Sequence, residues 1–462
     1  MNIKKINSNI FKHNFSPVIL ILAITILIAL LNIPIMQTLW RYSFDDGTYS
    51  HAYLIPLIVA YLFYVINNNG ELKYRETISL PASVLLIISA YILFVTSTAQ
   101  ISLLYWLTIL LLFCSSIIFV FNANIKIAAA ASYFIFLLPV WGILTIPLQN
   151  LSVFAAQTLM GFTTIPVFVE EQFVHIPSGV FEIAGGCSGL RYLLTSLAIS
   201  TLFSFLYFRT IKNTAIFISV AILGALLTNW LRISALIIIG HQTEMTSDLM
   251  TDHNMFGWYI YIPFMFLLFK FGGYLADKEN NKPIASDSSA KLQLNTPNGQ
   301  LGVVLFIILL FSSTSLQMSA TTEPETKLKN VLVQPIIYHA STVEVITNSS
   351  IKTQLIYNFS ESNLESKPTF YENNFIPKNW LVVSKVISNE EQVIKITKGL
   401  KTATITVSYE ISELKFGSSS RFKLERLKQA LLGKRKTKLH WQFQLNTINA
   451  QAINSHTKKV LL

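Results

Sequence analysis

Apolar runs of 16 to 25 residues recur through the first two thirds of this 462-residue chain, and they limit its fold more than any other feature. Hydrocarbon offers no water to backbone N–H and C=O groups, so each run must satisfy its own hydrogen bonds as a helix. Composition agrees. Hydrophobic residues make up 52% and charged residues 13%, with a mean hydropathy of +0.50, outside the usual range of a soluble domain. The expected fold class is an all-α polytopic membrane protein of about eight to nine transmembrane helices with a C-terminal extracytoplasmic α+β domain.

The runs define nine expected spans, near 17–36, 51–66, 79–96, 101–121, 127–147, 189–208, 214–238, 255–271 and 301–318. The first is too long for the apolar core of a cleavable signal and lacks a small-x-small site after it, so it reads as an uncleaved anchor. With the N-terminus inside, the cytoplasmic segments hold Lys4, Lys5, Lys12, Lys73, Arg75, Lys126, Arg209, Lys212, Lys270, Lys278, Lys282 and Lys291, against Arg41, Arg191 and Arg232 on the other face. That bias sets the orientation. Residues 148–188 contain an apolar stretch, 151–169, interrupted by Gln157, Gly161 and Pro166. A crossing there would reverse the charge bias downstream, so the stretch is expected to lie along the outer interface or to dip in as a re-entrant loop.

The polar stretch 276–300 reads as a cytoplasmic linker and 301–318 as an additional span, which leaves 319–462 as a basic extracytoplasmic domain. Alternating runs at 343–346 and 403–408 read as strands, and 420–432 as an amphipathic helix with Ser420 as N-cap and Gly433 past its end. From residue 319 onward there are 20 Lys/Arg and 11 Asp/Glu, most of the chain's formal charge of +11. Anionic headgroups, acidic polysaccharide or plain solvent all fit that surface. Nucleic acid does not, since the domain is expected outside the cytoplasm.

Chemistry concentrates at one face. Cys187, in Gly185-Gly186-Cys187-Ser188-Gly189-Leu190-Arg191, opens a span where water and substrate can reach a thiol. Free N–H groups at a helix start favour a thiolate or an oxyanion. Arg232, in Asn229-Trp230-Leu231-Arg232, lies some 18 residues into the next span, roughly 27 Å of climb. It reads either as a snorkelling anchor or as a cation facing the bundle interior. His253, in Asp252-His253-Asn254-Met255-Phe256-Gly257-Trp258, opens the following span and suits acid–base work near neutral pH. Asp252 or Glu244 could orient it. If spans alternate, all three groups share the outer face. His51, in Tyr49-Ser50-His51, opens the second span on that face as a site-lining or interfacial residue; Ser188, Gly189, Arg191 and Asn229 complete the expected lining. His175 and His241 sit on that side too, yet no CxxC or HExxH spacing exists, so neither a metal nor another cofactor is expected.

These segments, in this order, resemble the exosortase/archaeosortase family over roughly residues 17–275. The run Tyr49-Ser50-His51-Ala52-Tyr53-Leu54-Ile55-Pro56 adds to the likeness, although glycine more often follows the histidine in that family. The resemblance implies a membrane catalytic core over 1–275 and a cysteine transpeptidase in a bacterial inner membrane with its site on the periplasmic face. It assigns Cys187 as nucleophile, Arg232 as stabiliser and His253 as acid/base. Implied substrates are membrane proteins with a C-terminal Pro-Glu-Pro motif, a transmembrane helix and a basic tail, passed through a thioester to an acceptor at the outer face. Two other readings stand beside it. Gly186-Cys187-Ser188-Gly189 fits the G-x-S-G motif of rhomboid-type intramembrane proteases with Ser188 as nucleophile. A transporter or lipid-linked glycan flippase would line its pathway with Arg232 and the histidines.

Overall fold

The computed structural model describes residues 16–44, 47–251, 253–280, 298–317, 331, 333–349, 351–360, 363–434 and 436–446. Internal contacts divide the chain into two compact units. One holds the described residues of Met1–Ile26, Gln37–Ser79 and Phe113–Leu301, the other those of Leu27–Met36, Leu80–Leu112 and Gly302–Leu462.

Among the described residues, seven helical segments are long and apolar enough to cross a membrane, or eight if a bent pair counts as one span. That pair is α1 (Ser16–Leu31) and α2 (Ile33–Phe44), which meet at 96° where a single straight first span was expected. The cause is local. Pro34 has no N–H to continue the ladder of α1 to the Leu30 carbonyl, and buried Asn32 turns its side-chain amide back onto the Ile28 carbonyl at 2.9 Å. A short 3-10 turn, Gly47–Leu54, leads into α3 (Ile55–Asn68), followed by α4 (Leu80–Thr98) and α5 (Ser102–Val120). The ninth expected span appears as α12 (Gly299–Gln317), whose apolar stretch Gly299–Thr314 is shorter than the seven. Most of the expected linker lies outside the described residues.

The fifth expected span departs most from a single helix. It is assembled from α6 (Ile125–Ser132), two 3-10 turns (Tyr133–Phe136 and Pro139–Leu144) and α7 (Thr145–Met160). Pro139 has no N–H to continue a helical ladder, which breaks the chain there. Lys126 pairs with Glu71 at one end of α3, while the Phe136 carbonyl reaches His51 at the other, so α6 runs antiparallel to α3. After the break α7 keeps climbing. Ser152 meets Asn229, and beyond it Val153, Ala156 and Met160 share an apolar cluster with Ile233 and Ile237. Residues 151–160 are thus helical and packed along a neighbour; the helical segment continues to Met160 instead of ending near 147.

Three antiparallel strands follow, β1 (Phe168–Glu170), β2 (Phe173–Ile176) and β3 (Gly179–Glu182), in sequential order. The remaining helices of this unit are α8 (Leu190–Tyr207), α9 (Ile211–Gln242), the single turn α10 (Asp248–Thr251) and α11 (His253–Asn280). At 32 residues, α9 is about 48 Å long and overshoots a hydrocarbon core of about 30 Å. Its projecting end carries the contacts to α7 and β3.

In the second unit, β4 (Ala340–Asn348), β5 (Lys352–Phe359), β6 (Leu381–Ile387), β7 (Gln392–Lys398), β8 (Lys401–Ile411), β9 (Leu414–Phe416) and β10 (Thr437–Asn446) form one antiparallel sheet in the order β4-β5-β10-β8-β7-β6, with β9 paired to β8. Period-two burial on β5 puts Leu355, Tyr357 and Phe359 inside with Ile405, Val407, Leu439, Trp441 and Phe443. The helix α13 (Ser419–Leu431) covers that face through Phe422. Its cap residue is Ser418, two positions before the expected one, and Gly433 takes the left-handed conformation past its end.

This sheet domain is seated on the α4–α5 turn. Leu427 and Ala430 of α13 pack with Val95 and Ala99. Buried Gln100 donates to the Ser360 and Asn363 carbonyls at 3.2 and 2.7 Å and accepts from Arg426. Lys367 donates to the Gln100 carbonyl at 3.1 Å and the Ser102 hydroxyl at 2.6 Å. Burial, with Arg426 nearby, pushes the Lys367 ammonium down to about 7, with Glu365 acting weakly the other way. Once detached, the same lysine keeps its proton until its ordinary range, about 10.4. Seating therefore releases a proton between those values, and the seat tightens as pH rises from about 7 to about 10. In detergent, the thermal midpoint of the sheet domain should climb across that window, and Lys367→Met should flatten the slope. A midpoint falling from pH 7 to pH 9 in the native chain, with Lys367→Met unchanged, would contradict this.

Candidate active site

The Gly185–Cys187 stretch forms a 3-10 turn, and Gly189 at the cap of α8 takes φ +84°. Only glycine suits that position twice over: the backbone is left-handed, and an added Cβ would stand 2.8 Å from Asn229 Cγ. The close approach lets the Asn229 amide of α9 donate to the Cys187 carbonyl at 2.9 Å and to the Ser152 hydroxyl at 3.1 Å. Ser152 in turn donates to the Ser188 carbonyl at 3.3 Å. Cys187 is a half-buried free thiol at the rim of the cluster containing Val153, Ile183 and Ile233. Its neighbour Ser188 is 1% exposed, and its hydroxyl accepts from the Leu190 N–H at 3.4 Å.

Arg232 lies three residues beyond Asn229, on the same face of α9. It is 3% exposed. One terminal nitrogen donates to the Tyr192 hydroxyl at 3.3 Å, and the guanidinium sits 5.4 Å from the Tyr192 ring centroid, a cation–π arrangement. Its Nε and second terminal nitrogen have no hydrogen-bond partner among the described residues. A snorkelling anchor would send those donors to water or headgroups. Here they are buried and unspent, which is costly unless something else takes them.

α11 reaches this point through Gly257. A Cβ there would overlap the Tyr192 hydroxyl and stand 3.0 Å from Arg232 Cδ, so the first turns of α11 press against the arginine. His253 begins α11 one turn earlier on that same face; its side chain lies outside the described residues.

Two of the other expected lining residues make contacts of their own. His51 contacts the Phe136 carbonyl at 3.1 Å through Nε2, and the guanidinium of Arg191 lies against the backbone of Gly47. Ala52 is fully buried in a cluster with Leu190 and Leu194. Among the described residues no group of three His, Cys, Asp or Glu side chains could hold a metal ion. Ser152, Tyr192 and Gly257 escaped the expected site. Gly257 stood in a quoted motif and Tyr192 beside one, but Ser152 is one small polar residue in an apolar run.

Together these elements put an accessible thiol at a helix start and tie it to α9, where a buried guanidinium one turn away has two donors without a partner among the described residues. No curated protein and no solved structure matches the chain. The family profile described as transmembrane exosortase matches residues 40–270, the stretch from α2 to α11 that contains every residue of this arrangement, and the chain belongs to the transmembrane exosortase family.

Proposed function

We propose that this multi-pass member of a protein-sorting family is a cysteine transpeptidase that cleaves C-terminal sorting signals at the outer face of a bacterial inner membrane. The observation that carries the reading is the accessible Cys187 thiol joined through Asn229 to the helix that holds the two unspent Arg232 donors.

Cys187 gives its thiol proton to His253, and the resulting thiolate sulfur attacks a peptide carbonyl carbon, forming a C–S bond and moving a carbonyl electron pair onto oxygen. Arg232 Nε–H and its free terminal N–H stabilise that oxyanion, the role in which preorganised donors contribute most. Collapse breaks the C–N bond, and the leaving amine takes a proton from His253, leaving a thioester. The acceptor then loses its proton to His253 and attacks the thioester, releasing Cys187. The role of His253 rests on the family pattern and on its position one turn from Gly257. A substrate presenting its apolar helix to the bundle with a motif such as Pro-Glu-Pro above it suits a thiol at this level.

Charge supports the face. Lys73 and Arg75 precede α4, Arg209 precedes α9 and Lys212 lies in its first turn, so both helices run outward from the basic side. The α4–α5 turn that seats the sheet domain then opens outside, as does the end of α9 at Arg232. Ser188 serves poorly as a rhomboid-type nucleophile, because it is buried and its hydroxyl is engaged.

The test uses a reporter carrying a Pro-Glu-Pro motif, one apolar helix and a basic tail, expressed with the full chain in spheroplasts. A membrane-impermeant maleimide added outside is expected to label Cys187 and to stop processing. Processing that continues after complete labelling, or labelling only after permeabilisation, would refute the mechanism or the face respectively.

A further inference from the structure

Three donors and three acceptors close a small buried network around the Cys187–Ser188 peptides. Asn229 spends both amide hydrogens, one on the Cys187 carbonyl and one on Ser152. Ser152 spends its hydroxyl hydrogen on the next carbonyl, that of Ser188. Ser152 is 1% exposed and Asn229 fully buried, and neither lies on the thiol's own helix: Ser152 belongs to α7 and Asn229 to α9.

The geometry points to Ser152 as a positioning residue that acts through Asn229 to set the direction of the Cys187 backbone, and with it the thiol, relative to Arg232. This inference rests on the cysteine reading above. Two consecutive carbonyls are turned toward α7 and α9. In a trans peptide the N–H points opposite its C=O, so the Gly189 N–H is directed away from Ser152, on the side left open at the start of α8.

An amide rotates easily about its last bond, and without a second partner Asn229 could present its oxygen to the Cys187 carbonyl instead of its nitrogen. Two facing carbonyl oxygens repel. By accepting one amide hydrogen while its own hydrogen is committed to Ser188, Ser152 allows only the orientation in which Asn229 donates to Cys187. It also explains why α7, outside the helices that carry the reacting groups, packs along α9 at this level. Hydrogen bonds to two consecutive backbone carbonyls, one from α9 and one from α7, hold the thiol more tightly than its own short 3-10 turn could.

The experiment measures reporter turnover by purified full-length chain in nanodiscs. Ser152→Ala removes one hydroxyl without adding volume. The expected result is a kcat at least about tenfold lower with KM within about twofold, because misplacing a reacting atom by a fraction of an ångström acts on the transition state and not on substrate binding. Asn229→Ser should lose about 100-fold, and the Ser152→Ala/Asn229→Ser double variant no more than Asn229→Ser alone, since one residue acts through the other. A Ser152→Ala enzyme with unchanged kcat, a loss confined to KM, or strictly additive losses would overturn the inference. Thermal midpoints of all variants separate a loss of fold from a loss of position: equal losses of kcat and of folded fraction would also overturn it. Cys187→Ala in the same assay tests the parent reading by itself, since activity there would remove the thiol mechanism whatever Ser152 does.

Discussion

Cys187→Ala is expected to abolish processing of a signal-bearing reporter, a loss of at least about 10⁴-fold in kcat, while Ser188→Ala should cost less than about tenfold. The contrast follows from adjacent residues held differently. Cys187 is half-buried with a free thiol, whereas Ser188 is sealed in and its hydroxyl receives the Leu190 N–H. Removing the proposed nucleophile would remove the covalent route; removing the Ser188 hydroxyl removes one local hydrogen bond at the helix start, with a stability cost on the order of 1 kcal/mol. Cys187→Ser should behave nearly as the alanine variant, because an alkoxide is far harder to form than a thiolate. Full-length and processed reporter resolved over time give the measurement. The reverse ranking, with Ser188→Ala dead and Cys187→Ala active, would transfer the chemistry to the serine.

Arg232→Met has opposite effects on activity and stability. Turnover should fall by about 10²–10³-fold, the usual loss when an oxyanion donor is removed. The thermal midpoint should hold or rise, because the substitution replaces a buried cation with unsatisfied donors by an apolar chain of similar length. A purely structural arginine would do the reverse, lowering the midpoint and reducing turnover only in proportion to the folded fraction. Arg232→Lys should recover little. A lysine ammonium cannot send one donor to Tyr192, stack on its ring and keep two more directed elsewhere, as the planar guanidinium does. Turnover of the methionine variant within threefold of the native chain would remove Arg232 from the transition state.

Legibility differed between fold and site for physical reasons. Spanning helices announce themselves because hydrocarbon penalises every polar residue, so α3, α4, α5, α8 and α9 appear as long, predominantly apolar runs. Breaks were harder to see. Pro34 and Pro139 are visible in the chain, but a proline only weakens a helix, and whether the chain then bends by 96° at Asn32 or resumes as α7 depends on what lies beside it. The segment 151–160 was the plainest case: it is too polar for a lipid-facing span and too apolar for a loop. Packing against the projecting end of α9 resolves that conflict, since a helix that buries one face on protein need not be apolar all round.

The amino-acid order by itself determined a polytopic helical membrane protein of the exosortase kind, a basic strand-rich tail, and a short set of polar residues at span ends. It did so because those signals are local: run length, charge bias, alternation and motif spacing each act over a few turns of chain. Tertiary structure alone decided that Asn229 grips the Cys187 carbonyl, that Ser152 stands behind it, that Arg232 is buried against Tyr192 with two donors unspent, and that the sheet domain is seated on Gln100. Those contacts join residues 40 to 263 positions apart. Helix packing brings them within hydrogen-bond reach, and no periodicity in the chain encodes which small polar side chain will meet which carbonyl.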